Sequence, residues 1–271
     1  MTATTFKEHE LAGWSAKAGA YDDYFGAVTA RISPALLDAA RVTKGSRLLD
    51  IACGPGYVVG DAAERGADPT GIDFAEPMVD EARRRFPRLR FQQGDAEALA
   101  FEAGAFDAVT CGFGLGHFPD PDKAIAEAFR VVCPGGRYAF SWWCANDKHE
   151  FFQLFYESVK AFGTMDVPLP PAPPFARFSD PAECIRGLCA AGFADVRAVE
   201  HALTCDMPTP RHALDMIVRS GVRSSMMLEL QTKQARARIE EALMAGAMKF
   251  KRGDVLHFAF PAIVASGVKP G

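Results

Sequence analysis

Residues 48–74, LLDIACGPGYVVGDAAERGADPTGIDF, restrict the fold more than any other stretch of the chain. RLLDIAC reads as a buried strand, Gly54 and Gly56 as a tight turn, YVVGDAAERG as a helix and PTGIDF as a second strand. Two strands joined through a helix run parallel, and such crossovers are right-handed in nearly all proteins. The stretch therefore commits the chain to a parallel sheet covered by helices. The same alternation continues with strands in RLRFQQGD, FDAVTCGFG and RYAFSWW, and helices in EPMVDEARRRF and PDKAIAEAFRVVCPGG. The second of these helices is expected to run to the stop signal at Pro134 and its two glycines. DVRAVEHALTC gives a sixth strand and VLHFAFPAIVASGV a final one, bent at Pro261.

Helical segments flank this core. In the first 40 residues, ISPALLDAARV offers Ser33 as N-cap with Pro34 at the first helical position. The aromatic-rich stretch before it is either a core helix or a flap over a ligand. From Met207 to Arg252 the chain is mainly helical, which makes an insertion between neighbouring strands. It reads as a pocket cover, an extra packing layer or a homodimer face. The prolines of DVPLPPAPPF exclude helix there, leaving a surface connection or a wall beside the site. The expected organisation is an N-terminal helical arm or lid (1–43), a ligand-binding α/β core (44–206), a helical substrate cap (207–252) and the last core strand (253–271).

Charge and cysteines narrow the function. A formal net charge of -4 and no basic stripe argue against a nucleic acid partner. No apolar run reaches the roughly 20 residues a membrane span needs, and MTATTFKEHELAGW lacks the layout of a signal peptide, so a cytoplasmic location is expected. The 7 cysteines form no CxxC pair and no metal-ligand spacing with histidine, and most of them read as small buried thiols. No metal is expected.

The glycine turn leaves two adenosine ligands open. A dinucleotide fingerprint places its third glycine where this chain has Val59. Asp50, ahead of the turn, would repel a pyrophosphate but could receive an ammonium group. Asp73, ending the second strand, can accept both hydroxyls of a ribose under either reading. Asp95 follows the third strand, where its carboxylate could take an adenine amino group and Ala96 could offer a backbone N–H. This favours a compact, cationic adenosine ligand.

On LLDIACGPG, GIDFAEPMV, GDAEAL, FDAVTCGFGLGHFPDP and RVVCPGGRYAFSWW, in this order, the stretch from Lys44 to Trp143 resembles the class I S-adenosylmethionine-dependent methyltransferases. The likeness is to the ubiquinone/menaquinone-methyltransferase-like branch that acts on small molecules. It implies a Rossmann-like, mostly parallel seven-stranded sheet with one antiparallel strand and helices on both faces. It also implies S-adenosylmethionine as cofactor and S-adenosylhomocysteine as product. By this resemblance Gly54 and Gly56 let the backbone approach the methionine portion, whose amino group Asp50 supports. Asp73 binds the ribose, Phe74 packs beside the adenine, and Asp95 with Ala96 reads its edge. Gly112 and Phe113 line the methionine end; outside the stretch of the resemblance, Tyr21 of the arm is expected at the cofactor and among the acceptor-pocket walls. Gly116 departs from the bulkier family pattern, either leaving room for substrate or making a local turn.

Methyl transfer needs a general base only if the acceptor loses a proton. His117, just after the fourth strand, is the best-placed candidate, against a plain reading as a histidine bonded to neighbouring backbone. His149 and His257 are weaker candidates. Trp14, Tyr24, Trp143 and Phe175, with Met226 or Met227, are expected to wall an acceptor pocket suited to a planar or apolar molecule. The expected function is transfer of a methyl group to O, N or C of a small aromatic or heterocyclic molecule, as in secondary metabolism. The alternatives are a non-methylation reaction on the same fold, or an NAD(P)-dependent oxidoreductase.

Overall fold

A computed structural model describes residues 5–271, so residues 1–4 of the expected arm lie outside the described residues. The described residues open with a nearly unbroken helical run. It comprises α1 (Phe6–Tyr21), a π-helical turn (Asp22–Gly26), α2 (Ala27–Thr29), a 3-10 turn (Ala30–Ile32) and α3 (Ser33–Ala39). Thr5 and Glu8 close a reciprocal capping box at its start. The expected N-cap at Ser33 is not formed, because the backbone is already helical at Ile32 and no free N–H is left to cap. The Ser33 hydroxyl is instead buried without a hydrogen-bond partner among the described residues.

The core follows as β1 (Arg47–Ile51), α4 (Tyr57–Glu64), β2 (Asp68–Asp73), α5 (Glu76–Arg85), β3 (Arg90–Gln93), β4 (Phe106–Gly112), α6 (Pro121–Val131) and β5 (Val132–Trp143). Then come α7 (Glu150–Phe162), α8 (Pro181–Ala190), β6 (Ala194–His201), β7 (Thr204–Met207), α9 (Pro210–Ser220), α10 (Val222–Glu229) and α11 (Lys233–Ala247). The chain closes with β8 (Lys251–Arg252), β9 (Val255–Ala259) and β10 (Ala262–Val268). Helix α6 stops at Val131, before Pro134, because the sequence through Pro134 and its glycines is drawn into the start of β5.

Seven strands form one sheet in the order β3-β2-β1-β4-β5-β10-β6. The pairings from β3 through β5 are parallel and β10 is antiparallel to both β5 and β6. Leu48, Leu49 and Ile51 of β1 are buried on both faces, as helices on both sides of a sheet require. The sixth and final strands each differ from expectation by breaking in two. β7, β8 and β9 leave the main sheet and make a separate three-stranded sheet in the order β7-β9-β8. The break at Phe260 and Pro261 thus changes sheets where a bend within one strand was expected. Among the described residues no helix is long and apolar enough to cross a membrane.

Strand order reverses between β1 and β4, where the crossovers leave in opposite directions and open a crevice at the carboxyl ends of the strands. Helix α1 crosses this end of the sheet and packs on α5, α9 and α10.

Candidate active site

At the end of β1 the carboxylate of Asp50 is buried and accepts the Thr110 hydroxyl at 2.7 Å. Burial pushes its pKa up to about 7. The chain then turns through left-handed backbone at Ala52 (φ 54°), Gly54 (φ 50°) and Gly56 (φ 86°). These two glycines serve different ends. A Cβ on Gly54 would meet nothing within 4 Å and would project into the crevice, so this glycine keeps the backbone bare towards a ligand. A Cβ on Gly56 would press on the Phe91 ring at 2.9 Å and on Ala82 at 3.2 Å. Gly56 therefore starts α4 and packs it, and it does not line the cavity. Gly60 lies under the Phe86 ring in the same way.

Asp73, at the end of β2, accepts the Gly54 N–H on one oxygen and the Ala75 N–H on the other, both at 3.0 Å. Burial raises its pKa to about 6, opposed by these backbone donors and by His117. Each oxygen keeps a second lone pair, which suits a vicinal diol. Asp50, Gly54, Asp73, Phe74, Gly112 and Phe113 line one cavity of about 730 Å³, open solvent at its mouth included. Tyr21 closes it from the arm. Its hydroxyl lies 3.2 Å from that of Thr29, and burial pushes its pKa up to about 12. Two buried carboxylates beside a bare turn, with no cation paired to them among the described residues, fit a ligand carrying an ammonium group and a diol, as S-adenosylmethionine does.

Beyond Phe74 the crevice continues to Asp95 and Ala96. The Asp95 carboxylate is engaged, with Lys7 of α1 at 2.6 Å on one oxygen and the Glu97 N–H at 3.0 Å on the other. An adenine amino group there must share the carboxylate with Lys7, an arm residue the sequence did not single out.

His117 lines this recess, the main cavity and a third one. Its Nδ1 lies 2.8 Å from Oε2 of Glu10 on α1, and the Trp14 indole N–H donates to the same oxygen at 3.1 Å. The Glu10 side chain is fully buried. Sequence reasoning found His117 and Trp14 but missed Glu10, which lies 107 residues from its partner. The only local signal was the helical spacing of Glu10 and Trp14.

The third cavity, of about 550 Å³ with open solvent included, shares Trp14, Tyr21, Phe113 and His117 with the first. Trp143 and Phe175 form its walls, and Trp143 stacks on Phe113 at 4.0 Å between centroids. Phe152, Tyr156 and Arg223, not foreseen from sequence, complete it. Tyr24 does not reach it, because its hydroxyl accepts from Arg219 at 2.9 Å and its ring packs on His212 at 4.8 Å. Met226 and Met227 line none of these three cavities. Gly116 leaves no room for substrate, since a side chain there would overlap the Trp142 indole. His149 caps α7 among aromatic rings, where burial lowers its pKa to about 3. His257 pairs with Asp206 in the small sheet at 2.6 Å. Among the described residues no group of three or more His, Cys, Asp or Glu side chains is arranged to hold a metal ion.

Residues 49–140 match the family described as a methyltransferase domain. The chain is 45% identical over 103 residues to a demethylmenaquinone methyltransferase of Beutenbergia cavernae, covering 38% of this chain and 43% of that protein. It is 29% identical over 274 residues to the nocamycin O-methyltransferase of Saccharothrix syringae, covering 92% and 95% of the two chains. In fold it resembles the YcgJ protein of Bacillus subtilis, with a TM-score of 0.58 and 21% identity over 89% of this chain and 99% of that one.

Proposed function

We propose that this chain, whose core is a class I S-adenosylmethionine-dependent methyltransferase domain, methylates an acidic hydroxyl, a phenol or an enol, on a small planar molecule. The observation that carries this reading is the position of His117 on a wall common to the cofactor-sized cavity and the aromatic one, with Nδ1 held by a buried carboxylate.

Bound S-adenosylmethionine supplies a methyl carbon on a positively charged sulfur, a good leaving group once an acceptor atom attacks. The residues that would hold it are Asp50 for the ammonium group, Asp73 for the ribose, Asp95 with the Ala96 N–H for the adenine edge, and the bare Gly54 backbone. Trp143 and Phe113 exclude water and present ring faces, which favour nearby positive charge. Glu10 fixes the imidazole so that Nδ1 carries the hydrogen and Nε2 is left as the base that takes the acceptor's proton. A base so held would be idle for an acceptor without a proton to lose, which is why a hydroxyl is favoured. The arm and the 207–252 helices are read as the parts that cover the acceptor. A dinucleotide fits poorly, because Asp50 faces the turn and Gly60 is committed to Phe86.

Incubation with methyl-labelled S-adenosylmethionine and a panel of phenols and enols, followed by mass spectrometry, tests this. A methyl ether and S-adenosylhomocysteine are expected in equal amounts. S-adenosylhomocysteine binding with no methylated product across the panel would point to a different reaction on the same fold.

A further inference from the structure

The aromatic cavity contains one fixed charge. Among the described residues no Asp or Glu lines it, and the only Lys or Arg that does is Arg223, in the first turn of α10. The Arg223 guanidinium carbon lies 5.1 Å from the Phe175 ring centroid and 5.5 Å from that of Phe6. It makes no ion pair and no hydrogen bond among the described residues, whereas its neighbours are engaged. Lys17 donates to the Val218 carbonyl at 2.8 Å and Arg219 to the Tyr24 hydroxyl at 2.9 Å. Contact with these rings holds the guanidinium in place without giving its N–H donors an oxygen or nitrogen acceptor. Arg223 is thus oriented by apolar neighbours and left without an acceptor at the edge of a mostly apolar pocket.

We infer that the acceptor is a hydroxy acid whose anionic group is seated on the N–H edge of Arg223. This rests on the methyltransferase reading and names the substrate class. One guanidinium matches one negative charge, so a carboxylate or other monoanion fits better than a phosphate ester. Tyr156, in the same cavity, is kept protonated by burial and can donate a further hydrogen bond. His117 packs on Phe175 at 5.5 Å between centroids, and Arg223 packs on that same ring. The base and the anion seat therefore lie close enough for one small molecule to reach both.

The test is calorimetric titration of protein saturated with S-adenosylhomocysteine. The probes are 3-hydroxybenzoate, 4-hydroxycinnamate and 6-hydroxy-2-naphthoate, each paired with its neutral primary amide. At least one acid should bind about tenfold or more tightly than its amide, the scale of a hydrogen bond to a charged group. Arg223→Gln should erase the difference and Arg223→Lys should keep part of it. Equal binding of every acid and its amide, a preference that survives in Arg223→Gln, or binding of none of the acids would overturn the inference. S-adenosylhomocysteine affinity within about twofold of the parent shows that the variants are intact. Failure of the parent protein to bind S-adenosylhomocysteine would instead remove the methyltransferase reading beneath it.

Discussion

Glu10 Oε2 lies 2.8 Å from His117 Nδ1, so a carboxylate of the first helix holds the imidazole that follows the fourth strand. The other Glu10 oxygen, Oε1, is buried and has no partner among the described residues. Such a carboxylate costs stability unless its bonded oxygen is well used, and here it serves both His117 and Trp14.

In nitrogen-15 NMR of histidine-labelled protein, the neutral form of His117 should carry its hydrogen on Nδ1. Glu10→Gln should reduce that tautomer. Turnover of any accepted phenol should then fall by about 10-fold to 100-fold, within the range removable with a general base, while S-adenosylhomocysteine affinity changes little. His117 found mainly with its hydrogen on Nε2 would rule out the proposed base.

Cofactor affinity should rise with pH. Asp50 and Asp73 have raised pKa values, about 7 and about 6, so acid solution leaves Asp50 unable to pair with an ammonium group and Asp73 a weaker acceptor for the ribose hydroxyls. S-adenosylhomocysteine should bind more weakly at pH 5.5 than at pH 8 by calorimetry, and Asp50→Asn should flatten the dependence. The sign for stability is opposite. These two acids hold protons more tightly when folded, so their contribution to the ligand-free protein declines as pH rises from about 4 to about 7.

The two glycines of the turn should fail differently. Gly54→Ala places a methyl group in the cofactor crevice at a positive φ, so it should cost about 1–2 kcal/mol of folding strain and also weaken cofactor binding. Gly56→Ala adds contact with Phe91 to the same backbone strain, so thermal unfolding should show the larger loss there. Equal loss of stability in both variants would contradict these separate roles.

Asp73→Asn keeps an acceptor for one of the two backbone N–H groups and removes the charge. S-adenosylhomocysteine affinity should fall about 10-fold to 100-fold, the scale of one or two hydrogen bonds to a charged group. Titration calorimetry reads this directly.

Gly116→Ala should destabilise the protein, with a melting temperature several degrees lower, because the new methyl group must displace the buried Trp142 indole. A stable variant with altered acceptor preference would restore Gly116 to the pocket wall.

The sheet was legible because its strands carry their own evidence, with short apolar runs, turn glycines and, for the first three strands, an acid at or just after the end. Asp50, Asp73 and Asp95 lie within a few residues of those ends, so finding the strands found the acids. The acceptor side was only partly legible. Trp143 extends a strand and Phe175 ends the proline stretch, and both were within reach. Glu10, Tyr156 and Arg223 sit on separate helices whose mutual placement depends on tertiary packing, and no short-range pattern reports that. Tyr24 failed for the converse reason. It is aromatic and in the right arm, but the helix turns it towards Arg219 and His212.

Ala52 and Phe113, which both line the rim of the cofactor crevice, hold positive φ values of 54° and 55°, conformations that side chains resist. The protein therefore carries backbone strain at two points of this rim. Glycine at either position would relax the backbone, yet it would also remove the groups that give the rim its shape, including the Phe113 ring stacked on Trp143. The rim can be made more stable or kept in shape for its ligand, and gains in one should come as losses in the other.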